Sequence, residues 1–277
     1  MLQLIEELKN IKLAIFDLDG VIYRGDTLIS GVDKIIQGLK DLSIEVIYNS
    51  NNSTATRQMY VDRLKKFNIS TQINDFFTSA SITATEITKL KKNAKIFVIG
   101  EIGLEEELKA QGHIIITNKL YHNEIDFVIV GLDRDFNYSK LAFAQKCILD
   151  GKAQFYATNS DATLPVAEGL LPGAGVMVNA LVTCTGVKPV KIFGKPQPTG
   201  IQLILNSREM KPENVVIFGD RLDTDIVAGN LAGIKTVLVL TGVTSKEDIT
   251  QLESRVSSNQ NLIPHIIIEN LNEIYKN

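Results

Sequence analysis

Two aspartates, Asp17 and Asp19, stand one residue apart in "LAIFDLDGVIYRGD", directly after an apolar run and just before Gly20. In extended backbone, residues i and i+2 leave the strand on the same side. Carboxylates placed so close repel unless a cation or a proton lies between them. Mg²⁺ suits such a pair, being a hard cation that takes a few carboxylates, waters and substrate phosphate. A solvated turn with an Asx cap would explain a single DxDG. The buried run before this one and a second acidic loop later in the chain argue against that account. The second loop is "GDRLDTDI" after "VVIF". There Asp220, next to Gly219, is expected to complete the metal shell, and Asp225 to hold metal-bound water or a neighbouring cation. Asp223 reads as a helix N-cap satisfying backbone donors.

Three further groups could bind an anion. Ser50, Asn51 and Asn52 in "NSNNST" sit where an apolar run ends and a helix is expected to begin. Hydroxyl, amide and free backbone N–H groups there favour phosphate, helped by the helix dipole. Lys195 in "FGKPQPTG" ends another apolar run, and Pro196 blocks immediate helix formation. Such a lysine neutralises phosphate charge as a point cation. In "ATNSDATLPVAEGLLPGAG", read as a loop, Asn159 is the candidate for facing the site, while Asp161 and Glu168 fit structural capping equally well.

These residues need elements to hold them at one place. Apolar, β-branched runs alternate with segments of helical period, which predicts an α/β protein with parallel strands. Strands are expected at 12–17, 44–48, 190–193, 214–218, 235–240 and 265–268. Helices are expected near 32–42, 54–67, 199–207, 225–232 and 245–256. The runs are nearly uninterrupted, as for strands covered on both faces. In open α/β sheets ligands bind outside the carboxyl ends of the strands, which is where the acidic, amide and lysine groups fall. The middle of the chain repeats the style without acidic ends. It has strands at 96–99, 114–117, 127–132 and 154–157 and helices near 83–91, 104–111 and 138–149. This gives a core of residues 1–79 and 188–277 with a second α/β unit, 80–187, inserted into it.

Composition narrows the function. The chain has 277 residues, 44% hydrophobic and 22% charged, with a formal net charge of -3. That is an ordinary globular balance with no basic excess to attract nucleic acid or an anionic membrane surface. No apolar run reaches the ~18 residues of a membrane span, and "MLQLIEELKN" lacks the build of a secretory signal. Cys147 and Cys184 suit buried thiols in a reducing cytoplasm. His113, His122 and His265 share no metal-ligand spacing and read as structural or surface residues. "GAGVMV" and "GIKT" lack the glycines of dinucleotide and P-loop sites, and no GxSxG is present.

Taken together and in order, "DLDGV", "NSNNST", "GKP" and "GDRLDTDI" resemble the haloacid dehalogenase superfamily of phosphohydrolases. "GDTLISG", "ATNSDATLP" and "LLPGAG" resemble its NagD-like branch, which has a large α/β cap and includes p-nitrophenyl phosphate, phosphoglycolate and pyridoxal phosphate phosphatases. Serine at position 50 stands where many relatives carry threonine, and it keeps the hydroxyl. The resemblance implies a Rossmann-like core and hydrolysis of a small phosphorylated metabolite. Asp17 would be the nucleophile, forming an aspartyl-phosphate, and Asp19 the general acid and base. Mg²⁺ would be held by Asp17, the backbone carbonyl of Asp19 and Asp220, with Asp225 beside them. Ser50 and Lys195 would bind phosphoryl oxygens and Asn51 would help position them. Residues 21–28 resemble the flap hairpin of the family, and homodimers through the cap are compatible with the branch. A phosphotransferase or mutase with the same chemistry, and a non-catalytic binding protein on the same fold, are the alternatives.

Overall fold

The strand Leu13–Phe16 is wholly buried, so its apolar run has partners on both faces. In the computed structural model, which describes residues 3–166, 169–255 and 260–276, it lies inside a six-stranded sheet. The order is Ile266–Ile268, Lys235–Val239, Val215–Gly219, Leu13–Phe16, Glu45–Ser50, Phe76–Thr78. The ladders from Ile266–Ile268 across to Glu45–Ser50 are parallel. Leu13 and Ile15 pack with Ile47, Val215, Ile217, Ile201 and Ile204, and Phe16 stacks on Phe218 with ring centroids 4.7 Å apart. Parallel pairing in one sheet brings the carboxyl ends of the strands to one edge, so Asp17, Ser50 and Asp220 emerge side by side.

A second sheet, also parallel, has the order Lys191–Ile192, Gln154–Ala157, Phe127–Val130, Lys95–Ile99, Ile114–Ile115. Its core gathers Phe97, Val128, Val130, Phe143, Phe155 and Leu181. The chain divides by packing into Met1–Ser50, Val61–Phe77 and Lys195–Asn277 as one unit, and Asn51–Tyr60 with Thr78–Gly194 as the other. Among the described residues no helix is long and apolar enough to cross a membrane.

Several expectations need correction. The run at 190–193 forms only the short strand Lys191–Ile192, and it pairs with Tyr156 and Ala157 in the second sheet instead of the larger one. Its apolarity signalled burial, and Phe193 does stack on Tyr156, but the choice of partner is tertiary. The larger sheet gains the strand Phe76–Thr78 instead. The stretch expected as a loop holds an antiparallel pair, Thr163–Val166 with Gly169–Pro172, followed by the helix Ala174–Thr185. That helix buries Ala174, Met177, Val178 and Leu181, a clear i, i+3, i+4, i+7 stripe hidden by the glycines at its start. The helix expected from residue 54 begins at Arg57, because Asn52 and the threonines at 54 and 56 turn the chain first. Cys184 is only partly buried, unlike Cys147. Glu168 and Val256 lie outside the described residues.

Candidate active site

Lys195 organises the carboxyl edge of the larger sheet. Its ammonium, almost fully buried, donates to Asp17 Oδ1 at 2.6 Å, to Asp225 Oδ1 at 2.5 Å and to the carbonyl of Asn49 at 2.9 Å. The ammonium thus meets acceptors from two strand ends and from the helical turn Leu222–Ile226. Burial alone would lower the pKa of this lysine. The carboxylates of Asp17 and Asp225 override it and hold the amine protonated, above its ordinary range.

Asp220 follows the strand Val215–Gly219, and its Oδ2 accepts from the Val243 N–H at 2.7 Å. Asp17, Asp220 and Asp225 each present an oxygen within 4.8 Å of the others. Burial and the repulsion of the neighbouring carboxylates push Asp17 well above the carboxylate range, against the pull of Lys195. Asp220 is pushed up to about 7, by burial first and then by Asp225. Once ionised, the three carboxylates would exceed the single ammonium of Lys195 by two negative charges in this pocket, which is why the protons are held so tightly without a cation. Hard oxygen donors with an excess of two charges fit a divalent hard cation such as Mg²⁺.

Asp19 stands apart from that trio: it is exposed, and its carboxylate is not among the three oxygens. Although the residue keeps access to solvent, partial desolvation of its carboxyl raises the pKa, with Arg63 and then Lys195 drawing it back. Gly20 takes a φ of +82°, and a Cβ there would lie 2.4 Å from Asp220 Oδ2, so only glycine allows this turn. The chain then forms the hairpin Tyr23–Arg24 with Thr27–Leu28 around Gly25 and Asp26. Arg63 lies over the Tyr23 ring and bonds the carbonyl of Gly25 and the Asp26 carboxylate.

Ser50 is buried at the end of Glu45–Ser50, one residue before the chain enters the second unit. Within that unit Asn51 Nδ2 donates to Asp161 Oδ2 at 2.9 Å, and Asn159 Nδ2 donates to the same oxygen. The Thr158 hydroxyl donates to Asn159 Oδ1 at 2.7 Å. Asn52 spends its amide oxygen on the Thr54 N–H and hydroxyl, 2.7 and 2.8 Å away, which caps the turn. Asp223 is no N-cap. It lies inside the first turn after Arg221, exposed, and pairs with the Arg221 guanidinium at 3.1 Å. Of the other titratable groups, His113 is buried, accepting from the Ala94 N–H and bonded to Thr88, a structural role.

Two features of the site lie outside the four sequence motifs. Asp161 was open to two accounts, and its grip on both amides shows only in three dimensions. The loop "TGVT", 241–244, also ends a parallel strand and holds Asp220, and the strand-end criterion applied to the other motifs would have singled it out.

Residues 14–114 match the family model for haloacid dehalogenase-like hydrolases, and residues 192–274 match that for HAD-hydrolase-like proteins. An acid sugar phosphatase of Staphylococcus saprophyticus is 34% identical over 269 residues, 97% of this chain and 98% of that protein. A p-nitrophenyl phosphatase from Archaeoglobus fulgidus superposes with a TM-score of 0.86 at 33% identity, over 95% of this chain and 98% of the other. A glycerol phosphate phosphatase from Mycobacterium tuberculosis, in complex with magnesium, superposes with a TM-score of 0.85 at 28% identity, over 99% and 79%.

Proposed function

The chain belongs to the haloacid dehalogenase-like hydrolases, as a NagD-like phosphoric monoester hydrolase, and from that premise we propose that it is a Mg²⁺-dependent phosphatase of small phosphorylated metabolites, working through an aspartyl-phosphate. The observation that carries this reading is the buried set of Asp17, Asp220, Asp225 and Lys195 at one sheet edge. Asp17 and Asp220 would hold the cation, with the carbonyl of Asp19 and with Asp225 beside them. When bound, it would neutralise charge on the phosphoryl oxygens and keep Asp17 ionised.

The protein's own groups then divide the work. Asp17 attacks phosphorus, and the bond from phosphorus to the ester oxygen breaks as Asp19 gives that oxygen its proton. Crowding already favours the protonated form of Asp19 that this step needs. In the second half, Asp19 takes a proton from water as the water attacks phosphorus, releasing inorganic phosphate and restoring the Asp17 carboxylate. Lys195 fixes the orientation of Asp17 and balances phosphoryl charge, and Ser50 donates its hydroxyl to a phosphoryl oxygen. Asn51 and Asn159 belong to the same reading as polar groups that position the ester, with Asn52 supporting the turn. Residues 80–187 would serve as the cap that selects the leaving group.

Relatives named for sugar phosphates, p-nitrophenyl phosphate and glycerol phosphate support a phosphate monoester as substrate and leave its organic part open. The unpaired thiols are in keeping with a cytoplasmic location. A homodimer through the second unit is compatible with the exposed Leu170, Leu171 and Val176.

Phosphate release from p-nitrophenyl phosphate, with Mg²⁺ and with chelator, tests the chemistry. Wild type is expected to need Mg²⁺, and Asp17→Asn to fall by at least about 1,000-fold. A rate unchanged in Asp17→Asn would sink the nucleophile assignment. A panel of sugar phosphates, glycerol phosphate, phosphoglycolate, pyridoxal phosphate and nucleoside monophosphates then ranks substrates by kcat/KM.

A further inference from the structure

The strand Lys235–Val239 runs parallel beside Val215–Gly219, so the residues after it arrive at the same edge as Asp220. There the chain closes tightly over the acidic turn. Thr241 Oγ1 donates to the Gly20 carbonyl at 2.6 Å, and Arg24 Nε donates to the Thr241 carbonyl at 2.5 Å. Two residues on, the Val243 N–H holds Asp220 Oδ2, and the Thr244 N–H donates to the Asp220 backbone carbonyl at 3.1 Å. Between these bonds sits Gly242. A Cβ on it would lie 1.9 Å from Asp220 Oδ2, a distance no pair of non-bonded atoms tolerates, and a Cβ on Gly20 would lie 2.9 Å from the Gly242 Cα.

Each of these hydrogen bonds joins residues 241–244 to the DxDG turn, to the hairpin after it or to Asp220. One side of the loop grips the DxDG turn through Gly20. The other grips both the side chain and the main chain of Asp220. Occupying Oδ2 with the Val243 N–H decides which way the Asp220 carboxylate faces, leaving Oδ1 as the oxygen not held by that amide. We propose that residues 241–244 form a positioning clamp for the divalent cation: Thr241, Gly242 and the Val243 amide set the distance and orientation of Asp220 relative to Asp17. The proposal rests on the reading of Asp220 as a cation ligand.

The residue types suit this task. The threonine hydroxyl at 241 supplies the donor to the Gly20 carbonyl. Glycine at 242 lets the main chain pass in contact with a carboxylate. The carboxylate in turn accepts a charge-assisted bond from an amide whose position the loop dictates.

The test measures Mg²⁺ binding itself by titration calorimetry, in the absence of substrate, alongside thermal unfolding. Thr241→Val removes one hydrogen bond at constant shape, Thr241→Ser restores it, and Gly242→Ala pushes on Asp220. Mg²⁺ affinity is expected to fall about 10-fold in Thr241→Val and Gly242→Ala, with Thr241→Ser close to wild type. With Mg²⁺ saturating, KM for p-nitrophenyl phosphate should then return towards the wild-type value. The proposal is overturned if both variants fold and bind Mg²⁺ within about twofold of wild type while Asp220→Asn does not bind it. Wild-type Mg²⁺ affinity in Asp220→Asn would overturn it too, together with the reading it rests on. Should Gly242→Ala fail to fold, the comparison of Thr241→Val with Thr241→Ser decides alone.

Discussion

Under the proposed function, Lys195 would serve stability and chemistry through the same bonds. Its ammonium balances Asp17 and Asp225 in a buried pocket, where an uncompensated charge is costly. Replacing it by methionine, similar in length and without charge, is expected to destabilise the cation-free protein by about 3–5 kcal/mol. Urea unfolding in chelator measures this. The same variant should lose about 100-fold or more in kcat/KM, since a preorganised charge near the phosphoryl group is removed. Asp225 contrasts with it: both its oxygens are engaged, by Lys195 and by the Arg221 N–H. That engagement favours Asp225 as a support for the lysine over a direct cation ligand.

At the level of elements, the strand ends supply position and the short loops after them supply orientation. Ser50 ends a strand in the first unit, and Asn51 begins the second. Asn51 is held there by Asp161, which also holds Asn159, itself locked by Thr158. One carboxylate oxygen accepting from two amides fixes both planes at once. Asp161→Ala should therefore release both amides, lowering kcat/KM about 10-fold, while Asp161→Asn, which keeps an acceptor oxygen, recovers most of the loss. Steady-state kinetics on p-nitrophenyl phosphate for the pair check this. Equal losses in the two variants would mean that the charge, and not the hydrogen-bond acceptor, is what matters. The hairpin Tyr23–Leu28 is anchored differently, by the stacking and hydrogen bonds of Arg63, so its tether is cationic and aromatic.

For the molecule as a whole, the acidic cluster links cation binding to stability. Without a cation, Asp220 is pushed from its ordinary 3.8 up to about 7. The folded protein then holds a proton that the unfolded chain releases, and stability falls as pH rises between those values. Cation binding requires the ionised carboxylates, so it offsets this loss most at the upper end. The rise in Tm on adding Mg²⁺ is expected to be small at pH 5 and about 5 °C or more at pH 7.5, with Mg²⁺ near 100 times its Kd. Differential scanning calorimetry at both pH values measures it. An equal shift at the two would show that the cluster does not titrate with the cation.

The α/β class and the polar groups that end its buried strands were legible in the sequence because both depend on local order. A buried parallel strand is an apolar run in any context, and polar residues at its end betray themselves by type. The spacing of Asp17 and Asp19, the glycine after them and the acidic loop around Asp220 and Asp225 needed no partner to be recognised. Pairing choices were not legible. Lys191–Ile192 joins the second sheet and Phe76–Thr78 the larger one, because hydrogen-bonded ladders are chosen by which edges come together and not by composition. The stripe of Ala174–Thr185 was present but masked by glycines, whose low helix propensity is outweighed when a face is buried. Only the tertiary structure separated Asp17, Asp220 and Asp225 from Asp19, since carboxylates two residues apart part company when one residue is buried and the other stays accessible. It alone also revealed the grip of residues 241–244 on Asp220, a contact across more than twenty residues that close packing creates and local sequence cannot encode.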